Sequence, residues 1–370
     1  MSLWELDEFA PPQLLGFVRS LEVPPQFMGT KWLPDVTIGD LEFEYVLGSF
    51  RRPVMATVMG WDAEAPLHAR KGQGARVSGE LPPIKRKSRI GEKQIIRFLQ
   101  PRAGTADQLD AVKSVYVDVA ELFDTVQTRV EWLRLQALSE DKVVYNEDGV
   151  IFSFDFGIDD TFQIDLVTQT NGAGTDVNAQ YTTVWTDLAN SNPVLDLMKI
   201  CDTVQTKTGV RPVEAVFSQQ VINLFANNTQ MRQMIRGTNA PAAVLTPGEI
   251  QTLFSLYNLP SLTAYDVVVS DEQDDGSLVD LRPLAVNKGF LVPAGWSTGV
   301  SGSTARNCTL WGPTAESRKL LGTPLASQAP GIYAATYNTD EPPAEYTKVA
   351  GVAFPSMPGA NVLAQMKVMA

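Results

Sequence analysis

The stretch from Gly104 to Lys142, GTADQLDAVKSVYVDVAELFDTVQTRVEWLRLQALSEDK, limits the possible folds more than any other. Leu109, Val112, Tyr116, Val119, Phe123, Val126, Val130, Leu133 and Ala137 recur every three or four residues, the period of one helix face. Thr105 and Gln108 fit a capping box, and no proline interrupts the run. A helix over about 105–140 would be roughly 50 Å long at ~1.5 Å per residue. With a single apolar stripe it needs partners along its whole length. Leu122 and Leu135 lie off the seam, so the stripe drifts from a strict heptad and favours packing against a sheet over a coiled coil.

A chain of 370 residues has room for one large or two ordinary domains and a real core. Its net charge of −12 makes it a poor non-specific ligand for DNA. Two cysteines, Cys201 and Cys308, do not make a disulfide framework and suit a reducing compartment. The start, MSLWELDEF, does not read as a signal peptide, and no run of 18 apolar residues suggests a membrane span. The expectation is a soluble protein made in a cytoplasm.

Residues 1–40 combine prolines (Pro11, Pro12, Pro24, Pro25, Pro34) with the large apolar side chains Trp4, Leu14, Phe17, Phe27 and Trp32. Pro-Pro pairs oppose regular structure, while aromatics oppose free disorder. An extended arm that anchors these side chains on another surface reconciles the two, as does an arm folded back on its own domain. Between Arg70 and Arg102 stand ten basic and two acidic side chains, a net +8 that leaves −20 for the rest. Arg70, Lys71, Arg76, Lys85, Arg86, Lys87 and Arg89 are the candidate contact residues of this basic loop. It reads as a long two-stranded excursion, flanked by strands at Leu41–Leu47 and Gln94–Leu99. Three uses compete: a solvated face, a nucleic-acid patch, and docking on the acidic remainder of a second copy. A nucleic-acid patch calls for interleaved aromatics, absent from Lys85-Arg86-Lys87-Ser88-Arg89, so self-docking is preferred.

Beyond the long helix, alternation predicts a hairpin of Lys142–Tyr145 with Val150–Phe156, and polarity predicts a surface loop over Gly157–Gln180. Helices are expected at Pro193–Lys207, Ser218–Arg236 and Thr246–Tyr257, and a buried strand at Val213–Phe217. Further strands are expected at Ala264–Ser270, Leu284–Val292, Gly331–Tyr337 and Val349–Phe354. The closing segment Asn361–Val368 is expected to join the hairpin's sheet.

Motifs for chemistry are weak. His68 is the only histidine, so nucleophilic triads have one candidate base. Gly299-Val300-Ser301-Gly302-Ser303 misses the nucleophile-elbow pattern, and Asp155-Phe156-Gly157 lacks the rest of a kinase. Asp271–Gly276 opens like a calcium loop but has Arg282 where the bidentate Glu belongs. Gly72-Gln73-Gly74 does not complete a dinucleotide motif, and Cys201, Cys308 and His68 lack zinc spacing. No enzyme activity, cofactor or metal is expected.

The order of parts carries a resemblance. Arg76-Val77-Ser78-Gly79-Glu80 runs into Pro83-Ile84-Lys85-Arg86-Lys87. Asp155-Phe156-Gly157 follows, then a tail from Val349 through Pro355, Pro358 and Asn361 to Val368. Over essentially the whole chain this resembles the tailed-phage major capsid proteins of the Hong Kong 97 fold, more narrowly the lambda-type capsid protein E family. The resemblance implies an α+β chain with an N-arm (1–44) and an extended β-loop (45–100) lying across a neighbour. It also implies a peripheral domain (101–190 and 315–370) holding the long spine helix, and an axial α/β domain (191–314). It implies hexamers and pentamers of this chain forming a virion head in a host bacterial cytoplasm, around DNA bound without sequence preference. A separate scaffolding protein, a portal and a decoration protein are the further implied partners. A nanocompartment shell of the encapsulin type is the alternative, and a nucleic-acid-binding protein or enzyme of another fold a more distant one.

Overall fold

The computed structural model describes residues 11–48, 55, 56, 58, 61, 76–91, 106–147, 150–237, 243–272, 276–297, 306–316, 331–340 and 343–370. In chain order the first elements are α1 (Pro11–Ser20), a single turn α2 (Gly29–Trp32), β1 (Asp35–Thr37), β2 (Glu42–Val46), β3 (Arg76–Glu80) and β4 (Pro83–Gly91). The spine helix α3 (Ala106–Ser139) leads to β5 (Lys142–Glu147), β6 (Val150–Asp155), β7 (Gln163–Asp165) and β8 (Thr170–Asn171). Next come α4 (Pro193–Thr208), β9 (Pro212–Phe217), α5 (Gln219–Asn227), α6 (Thr229–Arg236), α7 (Pro247–Leu256) and β10 (Ser261–Ala264). The remaining strands are β11 (Val269–Glu272), β12 (Leu278–Leu281), β13 (Lys288–Pro293), β14 (Cys308–Trp311), β15 (Tyr333–Asp340), β16 (Pro343–Ser356) and β17 (Ala364–Lys367). No helix among the described residues is long and apolar enough to cross a membrane.

The chain divides into two compact units. The first takes its described residues from 1–43, 78–134 and 308–356. Its sheet runs β1-β14-β16-β15, with β4 also paired to β16. Val115, Val119, Leu122, Phe123, Val126 and Val130 of the spine helix pack on this sheet against Ile90, Trp311, Ala334, Val349 and Ala353. Each Val, Leu, Ile or Phe side chain among them contributes roughly 1.5–3 kcal/mol by leaving water. The helix-on-sheet expectation holds, and the drift of the stripe has a physical use: Leu122 is buried too, because a sheet accepts a wider face than a coiled-coil seam does. The proposed cap at Thr105 and Gln108 lies outside what is described.

Two expectations fail in this unit. Pro11-Pro12 does not bar a helix. The pair opens α1, where a missing N–H costs nothing and the fixed φ suits the first turn. Leu14 and Val18 then join the unit's core, and Leu15 packs on Tyr333. The arm from residue 11 to 33 therefore folds back on its own unit. Second, Lys85–Arg89 is extended as expected, but its partner is not the neighbouring strand of an excursion. It lies in β4, antiparallel to β16 in the register Lys85↔Ala350, Lys87↔Lys348, Arg89↔Tyr346. Nine consecutive pairs to a strand more than 250 residues later satisfy a backbone that local sequence shows only as polar. The strand expected at Gln94–Leu99 lies outside the described residues, whereas β2 matches Leu41–Leu47 and pairs with β3.

The second unit takes its described residues from 44–77, 135–307 and 357–370. Its sheet runs β10-β9-β13-β17-β7-β8. Trp185, Phe217, Phe225 and Phe254 pack together in its core with Leu197, Ile200 and Leu291. Gly289 is required there, since a Cβ at that point would stand 2.1 Å from the Phe217 ring and 2.6 Å from the Val216 carbonyl. The hairpin β5–β6 forms as expected, with Tyr145 stacked on Phe152. Asp155-Phe156-Gly157 closes it as a turn: Asp155 accepts from the Gly157 N–H at 2.8 Å, and Gly157 has φ +68°. Helices α4 and α7 match expectation, and α7 carries a complete Thr246/Glu249 capping box.

Other expectations for this unit need correction. Gly157–Gln180 is not all surface loop: Phe162, Ile164 and Leu166 are buried and β7 lies beside β17, parallel to it. The helix expected over Ser218–Arg236 is two helices, because Asn228 turns extended and its side chain accepts from Met231 N–H to cap α6. The strand expected over Ala264–Ser270 is split between the end of β10 and the start of β11. The closing strand β17 does not join the hairpin's sheet but sits between β13 and β7. That pairing places residues 357–370 in the second unit, where residues 135–190 group as well. Both cysteines are buried free thiols.

Candidate functional site

The basic residues of β4 acquire meaning from its register. Side chains alternate across a strand, so Lys85, Lys87 and Arg89 share one face, and Ile84, Arg86, Ser88 and Ile90 the other. The second face is the helix-facing one, since it carries Ile90 and Val349 of the core. On the first face three cross-strand rows form: Tyr333–Ala350–Lys85, Ala335–Lys348–Lys87 and Tyr337–Tyr346–Arg89.

Electrostatics separates these cations. Lys85 and Lys348 both donate to Glu316 Oε1, at 3.0 and 2.5 Å. Partial burial pushes the Glu316 carboxyl up, but the bonds from Lys348 and Lys85 outweigh it and hold the group at about 2. Tyr333, on the same row as Lys85, is raised by burial first and then by the Glu316 charge. Lys85 is thus engaged within its own chain. Arg76 of β3 likewise pairs with Glu44 at 2.9 Å. Lys87 Nζ lies over the Tyr346 ring at 5.2 Å, and Tyr346 stacks on Tyr337 with centroids 5.0 Å apart and planes 10° from parallel. Arg89 ends that row, exposed and without an ion partner among the described residues. The interleaved aromatics missing from the linear basic run are supplied by β15 and β16, so their absence no longer speaks against a nucleic-acid patch, and the net charge of −12 is what disfavours one. Of the seven basic residues read from sequence, Lys87 and Arg89 are exposed and without an ion pair among the described residues, Arg86 lies on the other face, and Arg70 and Lys71 lie outside the described residues.

The arm anchors are held by a buried polar cluster. Gly29 N–H donates to Glu131 Oε1 at 2.8 Å. Arg134, fully buried, donates from Nε to Thr309 Oγ1 at 2.8 Å and from Nη2 to Asp35, with Nη1 3.6 Å from Glu131. Thr309 Oγ1 donates to the Leu33 carbonyl at 3.0 Å, and Trp311 Nε1 to Asp35 at 2.8 Å. Residues 29–35 are therefore tied to the spine helix and to β14. Trp32 and Phe27 are buried inside the unit, and Phe17 meets Tyr116 edge-on at 4.8 Å. All three pack against their own unit. Trp4 lies outside the described residues.

Sequence reasoning missed Glu316, Tyr337, Tyr346 and Lys348, and the Glu131–Arg134–Asp35 cluster. Period-two alternation of Tyr346 and Lys348 was the only available signal, and it says nothing of which strand lies opposite. In the second unit Asp196 accepts from Thr182 N–H (2.7 Å), Thr182 Oγ1 (2.6 Å) and Trp185 Nε1 (2.8 Å). Burial raises its pKa more than these bonds lower it. It pins the segment before α4. No cluster of His, Cys, Asp and Glu suited to a metal occurs among the described residues.

Comparison with known proteins gives a consistent result. The family described as phage major capsid protein E matches residues 12–368. No curated protein matches. Among solved structures, the protein assigned as the capsid protein of a prophage in E. coli CFT073 superposes with a TM-score of 0.61 at 15% identity. The alignment covers 97% of this chain and 98% of that one. A phage-related protein of Bordetella bronchiseptica RB50 gives 0.53 at 11% identity, with 96% of each chain covered. At these identities the likeness speaks for the fold, and the family match speaks for membership. The chain belongs to the phage major capsid protein E family, and its α+β architecture is the Hong Kong 97-type capsid fold.

Proposed function

We propose that this phage major capsid protein assembles as hexamers and pentamers into the icosahedral head of a tailed phage, within the host bacterial cytoplasm, and encloses double-stranded DNA without reading its sequence. The family match over residues 12–368 supports the shell role. The observation that carries the mode of assembly is the Lys87–Arg89–Tyr346–Tyr337 face of the first unit, set against a remainder of strongly negative charge. Copies meeting through complementary charge find the right register quickly, and shell interfaces above ~1,000 Å² hold it. The segment between β2 and β3 is the loop that crosses to a neighbour, the first unit corresponds to the peripheral domain, and the second contains the axial one. A separate scaffolding protein, a portal and a decoration protein complete the head. The acidic chain repels packaged DNA, which keeps it mobile. The role is that of a structural protein, without catalysis.

Negative-stain microscopy of the purified protein tests this. Closed shells are expected from the wild type, and folded but unassembled subunits from Lys87→Glu/Arg89→Glu. Shells of normal yield from that variant would remove the docking role of this face.

A further inference from the structure

The hairpin β11–β12 of the second unit forms a sheet of its own, and no other described strand pairs with it. A lone two-stranded hairpin is at best marginally stable in water, so a surface that covers it stabilises it. The register Ser270↔Asp280 and Glu272↔Leu278 puts these four side chains on one face, because side chains alternate along a strand. All four are exposed, Leu278 by 68%. Val269 and Leu281, on the opposite face, are half-buried. Ser270 Oγ donates to Asp280 Oδ1 at 3.1 Å, which steadies that carboxylate on the open face. Arg282, at the foot of the hairpin, is paired with Asp266, and no lysine or arginine occurs between Arg236 and Arg282. The open face is thus an apolar side chain edged by two carboxylates. The row Tyr337–Tyr346–Arg89 with Lys87 beside it is its chemical counterpart: a flat aromatic pair edged by two cations.

We propose that the open face of β11–β12 in one copy seats on the Lys87–Arg89–Tyr346–Tyr337 face of a second copy. Leu278 lies on the stacked tyrosines, and Glu272 and Asp280 pair with Lys87 and Arg89. The pairing rests on the self-assembly reading above and adds the second patch of that contact. Opposite charge steers the two faces together and penalises contacts between like ones. The spacings also agree. Lys87 and Arg89 stand two residues apart on one strand, about 7 Å along it. Glu272 and Asp280 are diagonal neighbours across the hairpin, roughly 7–8 Å apart. One hairpin therefore meets both cations at once. Leu278 sits opposite Glu272 and two residues from Asp280, so it enters between the charged pairs, where the tyrosine rings take its apolar surface out of water. The cations are carried by a strand fixed at nine paired positions and the rings are already stacked, so the platform is in place before its partner arrives.

Charge reversal on each side, and then on both, tests the pairing. Lys87→Glu/Arg89→Glu and Glu272→Lys/Asp280→Lys are each expected to lower shell yield at least about tenfold, and their combination to restore it. Normal shells from Glu272→Lys/Asp280→Lys, or a combination no better than the weaker parent, overturn the inference. Loss of shells from Lys87→Glu/Arg89→Glu alone then still upholds a docking role for the cationic face. Absence of shells from the wild type would instead overturn the assembly reading. A disulfide measurement, which alters no charge, covers the case in which a reversed variant does not fold. Subunits carrying Leu278→Cys are mixed equally with subunits carrying Tyr337→Cys, assembled, oxidised and run on a non-reducing denaturing gel. Cys201 and Cys308 are buried and contribute no background. The expected result is a covalent dimer that neither variant gives alone, and a bond within one chain is impossible in this mixture. A mixture that runs as monomers overturns the pairing.

Discussion

Replacing Arg134 by Leu is the sharpest test of how the first unit is held together. The guanidinium is fully buried, bonded to Thr309 at 2.8 Å and to Asp35, and its Nη1 lies 3.6 Å from the fully buried Glu131. Removal strands a buried carboxylate beside an apolar side chain and also frees the Asp35 link to residues 29–35. Breaking a buried ion pair from one side typically costs about 3–5 kcal/mol, far more than the pair's net worth. In a unit of roughly 150 residues each kcal/mol lowers the melting temperature by about 2–4 °C, so a fall of roughly 6–20 °C is expected. Thermal unfolding of unassembled subunits, followed by circular dichroism, measures the fall, and urea unfolding the free energy. Adding Glu131→Gln to Arg134→Leu should recover part of the loss, because the stranded charge is gone while Gly29 N–H keeps an acceptor. A single variant within 1 kcal/mol of wild type, or a double variant no better than the single, would refute the view that charge compensation holds the arm.

Other outcomes are equally concrete. Glu316→Gln should weaken the attachment of β4 by about 1–2 kcal/mol, discounted because Lys85 is partly exposed. The folded Glu316 carboxyl at about 2 lies below its ordinary 4.5, so in the parent this contribution is complete above about pH 4.5 and fades as pH falls towards 2. Urea midpoints of parent and variant should therefore converge on acidification. Asp196→Asn must turn one N–H towards another whichever way the amide lies, and should cost roughly 1–3 kcal/mol in the same assay. Gly289→Ala forces a methyl against the Val216 carbonyl, which cannot yield as a side chain would, and should destabilise the second unit by about 1–3 kcal/mol or leave it insoluble. Deleting residues 1–20 should lower the melting temperature as well as assembly, because Leu14, Leu15 and Val18 leave a packed core.

What could be read without coordinates was whatever repeats locally. The spine helix, the β5–β6 hairpin and helices α4 and α7 announce themselves through spacing, caps and turn residues. The failures are all questions of partnership. Nothing in Pro83–Gly91 says that Ala344–Val352 lies opposite, so a strand of a mixed sheet looks like a basic excursion. Ala364–Lys367 is too short to declare which sheet it enters. Pro11-Pro12 is ambiguous because the same ring that ends a helix also starts one. The proposed docking face was half legible for the same reason: its cations lie within one short run, while its tyrosines arrive from strands that begin at Tyr333 and Pro343.

The placement of β17 bears on the order in which this molecule can mature on the ribosome. Residues 364–367 come after every other strand, yet they fill a slot between β13 and β7, so the six-stranded sheet has a gap until they are synthesised. The first unit likewise waits for β16, which β4 and β15 both need as a partner. Such distant pairings make for slow closure. A nascent chain therefore lacks a finished surface through which to recruit others, and association is postponed until translation of this region is done. Timing of that kind keeps half-built sheets from offering their unpaired edges to one another while chains are being made.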